Sequence, residues 1–192
     1  MPAEDVGHAP AGPGFRPVGE ERTIHRGHIL HLVEADFEAP DGSRFTREVI
    51  HHPGAVSVVP LLDDGETVVC VRQYRAALDE LLLEIPAGKL DVAGEDLEAC
   101  AARELEEEVG MRATTLEKLA TFRNSAGFCD ETSHVYLATG LVETTTDLQG
   151  VEEAHMTVEH VSLADVPSMI ADGRLTDAKT IIGMTLTRAR LG

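Results

Sequence analysis

The chain has 192 residues, 43% of them hydrophobic, enough for one domain with its own core. Its formal net charge of -18 repels nucleic-acid backbones and argues against a nucleic-acid partner. No apolar run nears the roughly 20 residues of a bilayer span, and the start MPAEDVGHAPAGPGF lacks the basic and apolar stretches of a signal peptide. Cys70, Cys100 and Cys129 are odd in number and lack CxxC spacing, so neither a disulfide framework nor a zinc site is expected. A cytoplasmic protein with no membrane partner is the expectation.

Residues 1–20 hold Pro, Gly and Ala without periodicity and read as a disordered tail. Residues 22–37 and 43–51 read as strands joined at Pro40-Asp41-Gly42, an N-terminal β-hairpin region spanning 21–52. Ala55–Leu62 and Thr67–Tyr74 flank Asp63-Asp64-Gly65, a second hairpin. Leu81–Ile85 is a short strand that Pro86 and Gly88 should break. A helix is predicted over 97–109, stopping at Gly110. Strands follow near 115–124, 132–138 and 156–162, and helices near 163–172 and 177–190. Mixed strands and helices without an internal repeat predict a layered α/β fold, with residues 53–192 as the main domain.

The segment GKLDVAGEDLEACAARELEEEVGM, residues 88–111, carries the chemistry. At about 100° per residue, Leu97, Ala101, Leu105 and Val109 form one apolar stripe. With Leu97 at zero, Glu104 falls near about -20° and Glu108 near about +20°, at the stripe's margin. Glu107 lies near about -80°, and Glu106 lies opposite the stripe, near about 180°. A solvated acidic face explains Glu106 but not Glu104 or Glu108. Half-buried carboxylates repel one another unless a cation offsets them, and acids near a helix C-terminus oppose its dipole. A divalent ion removes both objections, and Mg²⁺ takes oxygen ligands while sharing its sphere with substrate phosphates.

These residues resemble the Nudix box: Gly88, Glu95, Arg103, Glu104, Leu105, Glu107, Glu108, Gly110 and Met111 match it. Six residues instead of five separate Gly88 from Glu95, an insertion placed in the loop before the helix. VRQYR (71–75), LLLEIPAGKLD (81–91), SAGFCDE (125–131) and LTDAKTIIGM (175–184) resemble the ADP-ribose pyrophosphatase branch of that family. Ala126 stands where that branch usually has proline.

The resemblance implies an α/β/α sandwich with a mixed sheet, extended here by the N-terminal hairpin. It implies hydrolysis of the pyrophosphate of a nucleoside diphosphate derivative, ADP-ribose foremost, with Mg²⁺ or Mn²⁺. Glu104, Glu108 and Glu107 are the expected metal ligands, joined by Glu95 and the Ala87 carbonyl. Arg103 is expected to hold the acids in place; an ordinary i,i+4 pair with Glu107 is the plainer reading. Glu152 is the first choice for general base and Glu153 the second, although a solvated acidic turn explains either alone. Arg75, then Arg72, are expected substrate contacts, with Gly127 in the later loop. Strand alternation puts Arg72 and Tyr74 on one face and Gln73 and Arg75 on the other. The spacing of His25, His28 and His31 alternates sides, and no histidine receives a role.

A homodimer through residues 21–52 is expected, since that hairpin is surplus to the core and the branch is commonly dimeric. The alternatives are a pyrophosphatase for another sugar nucleotide or dinucleotide, a non-catalytic ADP-ribose sensor, and an acidic interaction protein. A sensor would tend to lose box acids, and all are present here.

Overall fold

The computed structural model describes residues 14–148 and 150–192, as two compact units. The first thirteen residues of the expected tail lie outside the described residues.

The first unit comprises residues up to His52 together with Ser125–Glu131. Its strands β1 (Arg16–Arg26), β2 (His31–Glu38) and β3 (Arg44–His51) form an antiparallel meander in that order. Two expectations change here. Strand β1 starts at Arg16, inside the stretch read as tail, because Arg16, Pro17 and Val18 pair with Glu38, Phe37 and Asp36. The run 22–37 is two strands, not one, because Gly27 N–H bonds the Leu30 carbonyl and turns the chain. The extension therefore has three strands instead of two. Phe37 and Phe45 stack 5.5 Å apart, and Phe15 meets Phe45 edge-on. Segment 125–131 is laced to β3: Ile50 N–H bonds the Phe128 carbonyl and Asp130 N–H bonds the Ile50 carbonyl. His51 adds a side-chain tie, with Nδ1 2.6 Å from Asp130 and Nε2 2.9 Å from Glu21. Those two carboxylates raise the His51 pKa against the opposing effect of burial.

The second unit holds residues 53–124 and 132–192. One sheet runs β7 (Ala87–Lys89), β4 (Ala55–Pro60), β9 (Thr132–Glu143), β8 (Met111–Arg123); β4 and β9 are parallel and the other pairs antiparallel. A second sheet runs β10 (Thr157–Ser162), β5 (Thr67–Arg75), β6 (Glu80–Glu84), all antiparallel. The β4–β5 turn forms around Asp64, whose carboxylate accepts from the Glu66 and Thr67 amides.

Alternation along β4, β5 and β9 feeds two apolar layers. One gathers Val56, Val58, Val69, Val71, Tyr136 and Ala138 against Cys100, Ala101, Leu105 and Val109 of α1 (Leu97–Val109). The other gathers Val59, Val68, Cys70, Leu83, Ile85, Val135 and Leu137 with Val166 and Met169 of α3 (Val166–Ala171) and Met184 of α4 (Ala178–Leu191). Helices thus cover both faces of strand-rich layers, the mixed α/β architecture that the sequence predicted. A one-turn helix, α2 (Gly150–Glu153), precedes β10. No helix among the described residues is long and apolar enough to cross a membrane.

The expected break of the 81–85 strand is present: β6 ends at Glu84, and Ile85 and Pro86 lie in no strand. Gly88 takes no part in that break, since Ala87, Gly88 and Lys89 pair with Ser57, Val56 and Ala55 as β7. Strand β7 lies at the edge of its sheet, where a neighbouring proline's missing N–H costs no interior ladder bond.

Candidate active site

Helix α1 is set by local signals at both ends. The Asp96 carboxylate caps it by accepting from Ala99 N–H at 2.7 Å. Gly110 ends it in the left-handed region, φ 63°, with its N–H bonded to the Glu106 carbonyl. The apolar stripe faces the sheet, and the acids at its margin go in with it: Glu104 is 8% and Glu108 5% exposed. Glu106 points outward and pairs with Arg112.

Arg103 is the hub of the acidic cluster. Its Nε and Nη2 grip both Glu95 oxygens at 2.9 and 3.1 Å. Its Nη1 reaches Glu104 at 2.7 Å and Glu107 at 2.9 Å. The i,i+4 pair with Glu107 therefore exists, as one of three. Glu108 lies apart from the arginine and accepts the Ala87 N–H at 3.1 Å. Gly88 sits directly under Glu104: a Cβ built there would overlap the Glu104 carboxyl group.

The electrostatics follow from this geometry. Arg103 holds Glu95 below the usual carboxylate range. Burial raises Glu104, outweighing the pull of Arg103. Burial also pushes Glu108 up to about 8, with Glu104 and Glu153 adding repulsion. The Glu153 carboxylate adds repulsion at both buried acids, and Glu152 is exposed on α2. Of the two candidate bases, Glu153 is the one whose charge adds to the repulsion at Glu104 and Glu108. Consecutive residues on a helical turn diverge by about 100°, so the two side chains leave α2 in different directions.

Among the described residues, no three His, Cys, Asp or Glu side chains already converge on a point that could hold an ion. Glu95, Glu104 and Glu107 meet at the Arg103 guanidinium. The donor chemistry nevertheless suits a hard divalent ion: all-oxygen, largely buried, and with Glu108 raised by burial that the Ala87 N–H offsets only in part. The glycine floor leaves room above β7 for the Glu104 carboxylate.

The two candidate substrate arginines differ. Arg72 is spent on the surface, paired with Glu159 across the β5–β10 strands. Arg75 extends from the opposite face of β5, as alternation predicted, and binds both Glu84 oxygens at 2.7 and 2.6 Å. Glu84 is 1% exposed and also pairs with Lys179 at the start of α4. Neither Glu84 nor Lys179 was singled out from sequence. A lone acid in the apolar run Leu81–Ile85 was the available signal, since buried acids are almost always paired. Gly127 is exposed and belongs to the first unit, in the loop bound to β3, while the box and both arginines belong to the second.

The arrangement of a capped acidic helix over a glycine strand defines a Nudix-type centre, and comparison with known proteins agrees. The NUDIX domain family model matches residues 51–182. The ADP-ribose pyrophosphatase of Bacillus subtilis (strain 168) is 39% identical over 166 residues, covering 84% of this chain and 89% of that protein. The ADP-ribose pyrophosphatase of Mycobacterium tuberculosis is 39% identical over 175 residues, covering 91% of this chain and 84% of that protein. A crystal structure of an ADP compounds hydrolase superposes with a TM-score of 0.78 at 24% identity, covering 92% of this chain and 94% of that one, a likeness of fold. The chain belongs to the Nudix family, whose hydrolases generally use divalent metal ions.

Proposed function

We propose that this protein is a Nudix pyrophosphohydrolase that hydrolyses ADP-ribose to AMP and ribose 5-phosphate with Mg²⁺, Mn²⁺ being the alternative ion. The observation that carries the reading is the Arg103-centred cluster of Glu95, Glu104 and Glu107 beside buried Glu108 over Gly88. The 39% identity to two enzymes named ADP-ribose pyrophosphatase supports the choice of substrate.

Glu104, Glu108 and Glu107, with Glu95 and the Ala87 carbonyl in support, would hold the ion. A bound divalent cation supplies charge neutralisation of the diphosphate and polarisation of its phosphorus. Arg103 limits the rotamers of three of the acids, which keeps the donor set organised. Arg75 offers its guanidinium to a phosphate or ribose oxygen. Glu153, already felt by Glu104 and Glu108, accepts a proton from the attacking water; Glu152 is the second choice. The water oxygen bonds to one phosphorus, the bridging P–O bond breaks, and each half departs as a phosphate monoester.

A cytoplasmic homodimer completes the proposal. Cys70, Cys100 and Cys129 are free thiols, in keeping with a reducing compartment. Ile24, Ile29 and Leu30 are exposed around the β1–β2 turn of the first unit, apolar side chains that a second copy would cover. The test of function is a panel of ADP-ribose, sugar nucleotides and dinucleotides incubated with Mg²⁺, with products identified by mass. AMP and ribose 5-phosphate formed fastest from ADP-ribose is the expected result. Preferential cleavage of another sugar nucleotide or dinucleotide would replace the substrate, and tight ADP-ribose binding without turnover would favour a sensor.

A further inference from the structure

The C-terminal helix contributes a charge to the site that neither the box nor the β5 arginine accounts for. Glu84 ends β6 almost fully buried, at 1% exposure. Its Oε1 accepts from Arg75 Nε, and its Oε2 accepts from both Arg75 Nη2 and Lys179 Nζ. Lys179 also donates to Asp177 at 3.0 Å. Asp177 caps α4 by accepting from Thr180 N–H and the Thr180 hydroxyl, and that hydroxyl accepts the Ile85 N–H at 2.8 Å. The chain of bonds runs from β6 to α4 and back to β6, so Lys179 is held in place at both ends of the network.

The charges decide what this does. Arg75 and Glu84 alone form a neutral pair with little attraction for an anion. Lys179 supplies the second cation; the charge of Asp177, whose Oδ1 takes a Lys179 bond and whose Oδ2 caps α4, also reaches Arg75, so without Lys179 the guanidinium would face two carboxylates alone. With Lys179 neutralising Glu84, the half-exposed Arg75 keeps its attraction for a diphosphate while its orientation stays fixed by two hydrogen bonds.

We propose that Lys179 is a positioning residue: through Glu84 it orients Arg75 and preserves its charge for the diphosphate of the substrate. The inference rests on the reading of Arg75 as a substrate contact. Lys179 acts in the ground state and the transition state alike, so its loss weakens binding and leaves the chemical step nearly intact.

The test uses Lys179→Met, Lys179→Gln and Lys179→Arg in the full chain, alone and with Arg75→Ala. Two readouts are taken: KM and kcat with Mg²⁺ and ADP-ribose, and Kd for ADP by calorimetry without metal. Lys179→Met and Lys179→Gln are expected to raise KM and Kd about tenfold with kcat within about threefold. Lys179→Arg should restore both constants. Lys179→Gln can still donate a hydrogen bond to Glu84, so it separates charge from packing if Lys179→Met fails to fold. In the Arg75→Ala background, Lys179→Gln should add no further change. A KM and Kd within twofold of wild type, or an equal additional rise without Arg75, overturns the proposal. If the wild type cleaves no diphosphate yet the ADP titration moves as expected, the proposed activity fails and the positioning role stands.

Discussion

Glu108→Gln is expected to stabilise the chelated protein at alkaline pH and to leave it nearly unchanged in acid. In the folded chain burial pushes this carboxyl up to about 8, against 4.5 for the free side chain. Below 4.5 the folded and unfolded forms are both protonated and the group contributes its full stability. Between 4.5 and about 8 the unfolded chain releases the proton while the folded chain keeps it, so stability falls as pH rises; above about 8 it levels off. The gap of about 3.5 in pKa, at about 1.4 kcal/mol for each tenfold change in proton affinity, is an upper bound of about 5 kcal/mol. Glutamine does not titrate, and its carbonyl can still accept the Ala87 N–H that Glu108 accepts now. Guanidinium unfolding in EDTA at pH 5 and pH 9 measures the difference between variant and wild type. That difference should grow by several kcal/mol in favour of the variant between the two pH values. The substitution should also abolish any rise in Tm on adding Mg²⁺. A difference that stays constant from pH 5 to 9 refutes the reasoning, because Glu108 would then carry no burial penalty.

Glu153→Gln should lower kcat by orders of magnitude with little change in KM, and Glu152→Gln should have a much smaller effect; a double variant with normal kcat would place the base elsewhere. Gly88→Ala drives a methyl group into the Glu104 carboxyl, so steady-state turnover should fall at least about a hundredfold, by displacement of the acid; a crystal structure with Glu104 unmoved would contradict this. The Thr187 hydroxyl is buried without a hydrogen-bond partner, so Thr187→Val should raise stability by about 1 kcal/mol in chemical denaturation. Light scattering at micromolar concentration should give twice the chain mass, and deletion of residues up to 51 should abolish the dimer; a monomeric full chain overturns that expectation.

Much of this protein was legible in one dimension because the deciding interactions are local. The α1 helix over 97–109 is written in its apolar repeat and in Gly110 at its end, while the Asp96 cap went unread. The same repeat placed Glu104 and Glu108 at the buried margin, since position on a helix follows from residue number alone. The β5 alternation likewise separated Arg75 from Arg72. What the sequence could not decide depends on which distant segments meet. Strand β7 exists because β4 pairs with it, overriding the breaker character of Gly88. The charge of Glu153 acts on Glu104 and Glu108 only because tertiary packing brings α2 toward α1. Glu84 and Lys179, 95 residues apart, meet only when the start of α4 comes up to the end of β6. Periodicity records which way a side chain points from its own backbone; the partner it meets there is fixed by tertiary packing, which brings together charges that no local pattern links.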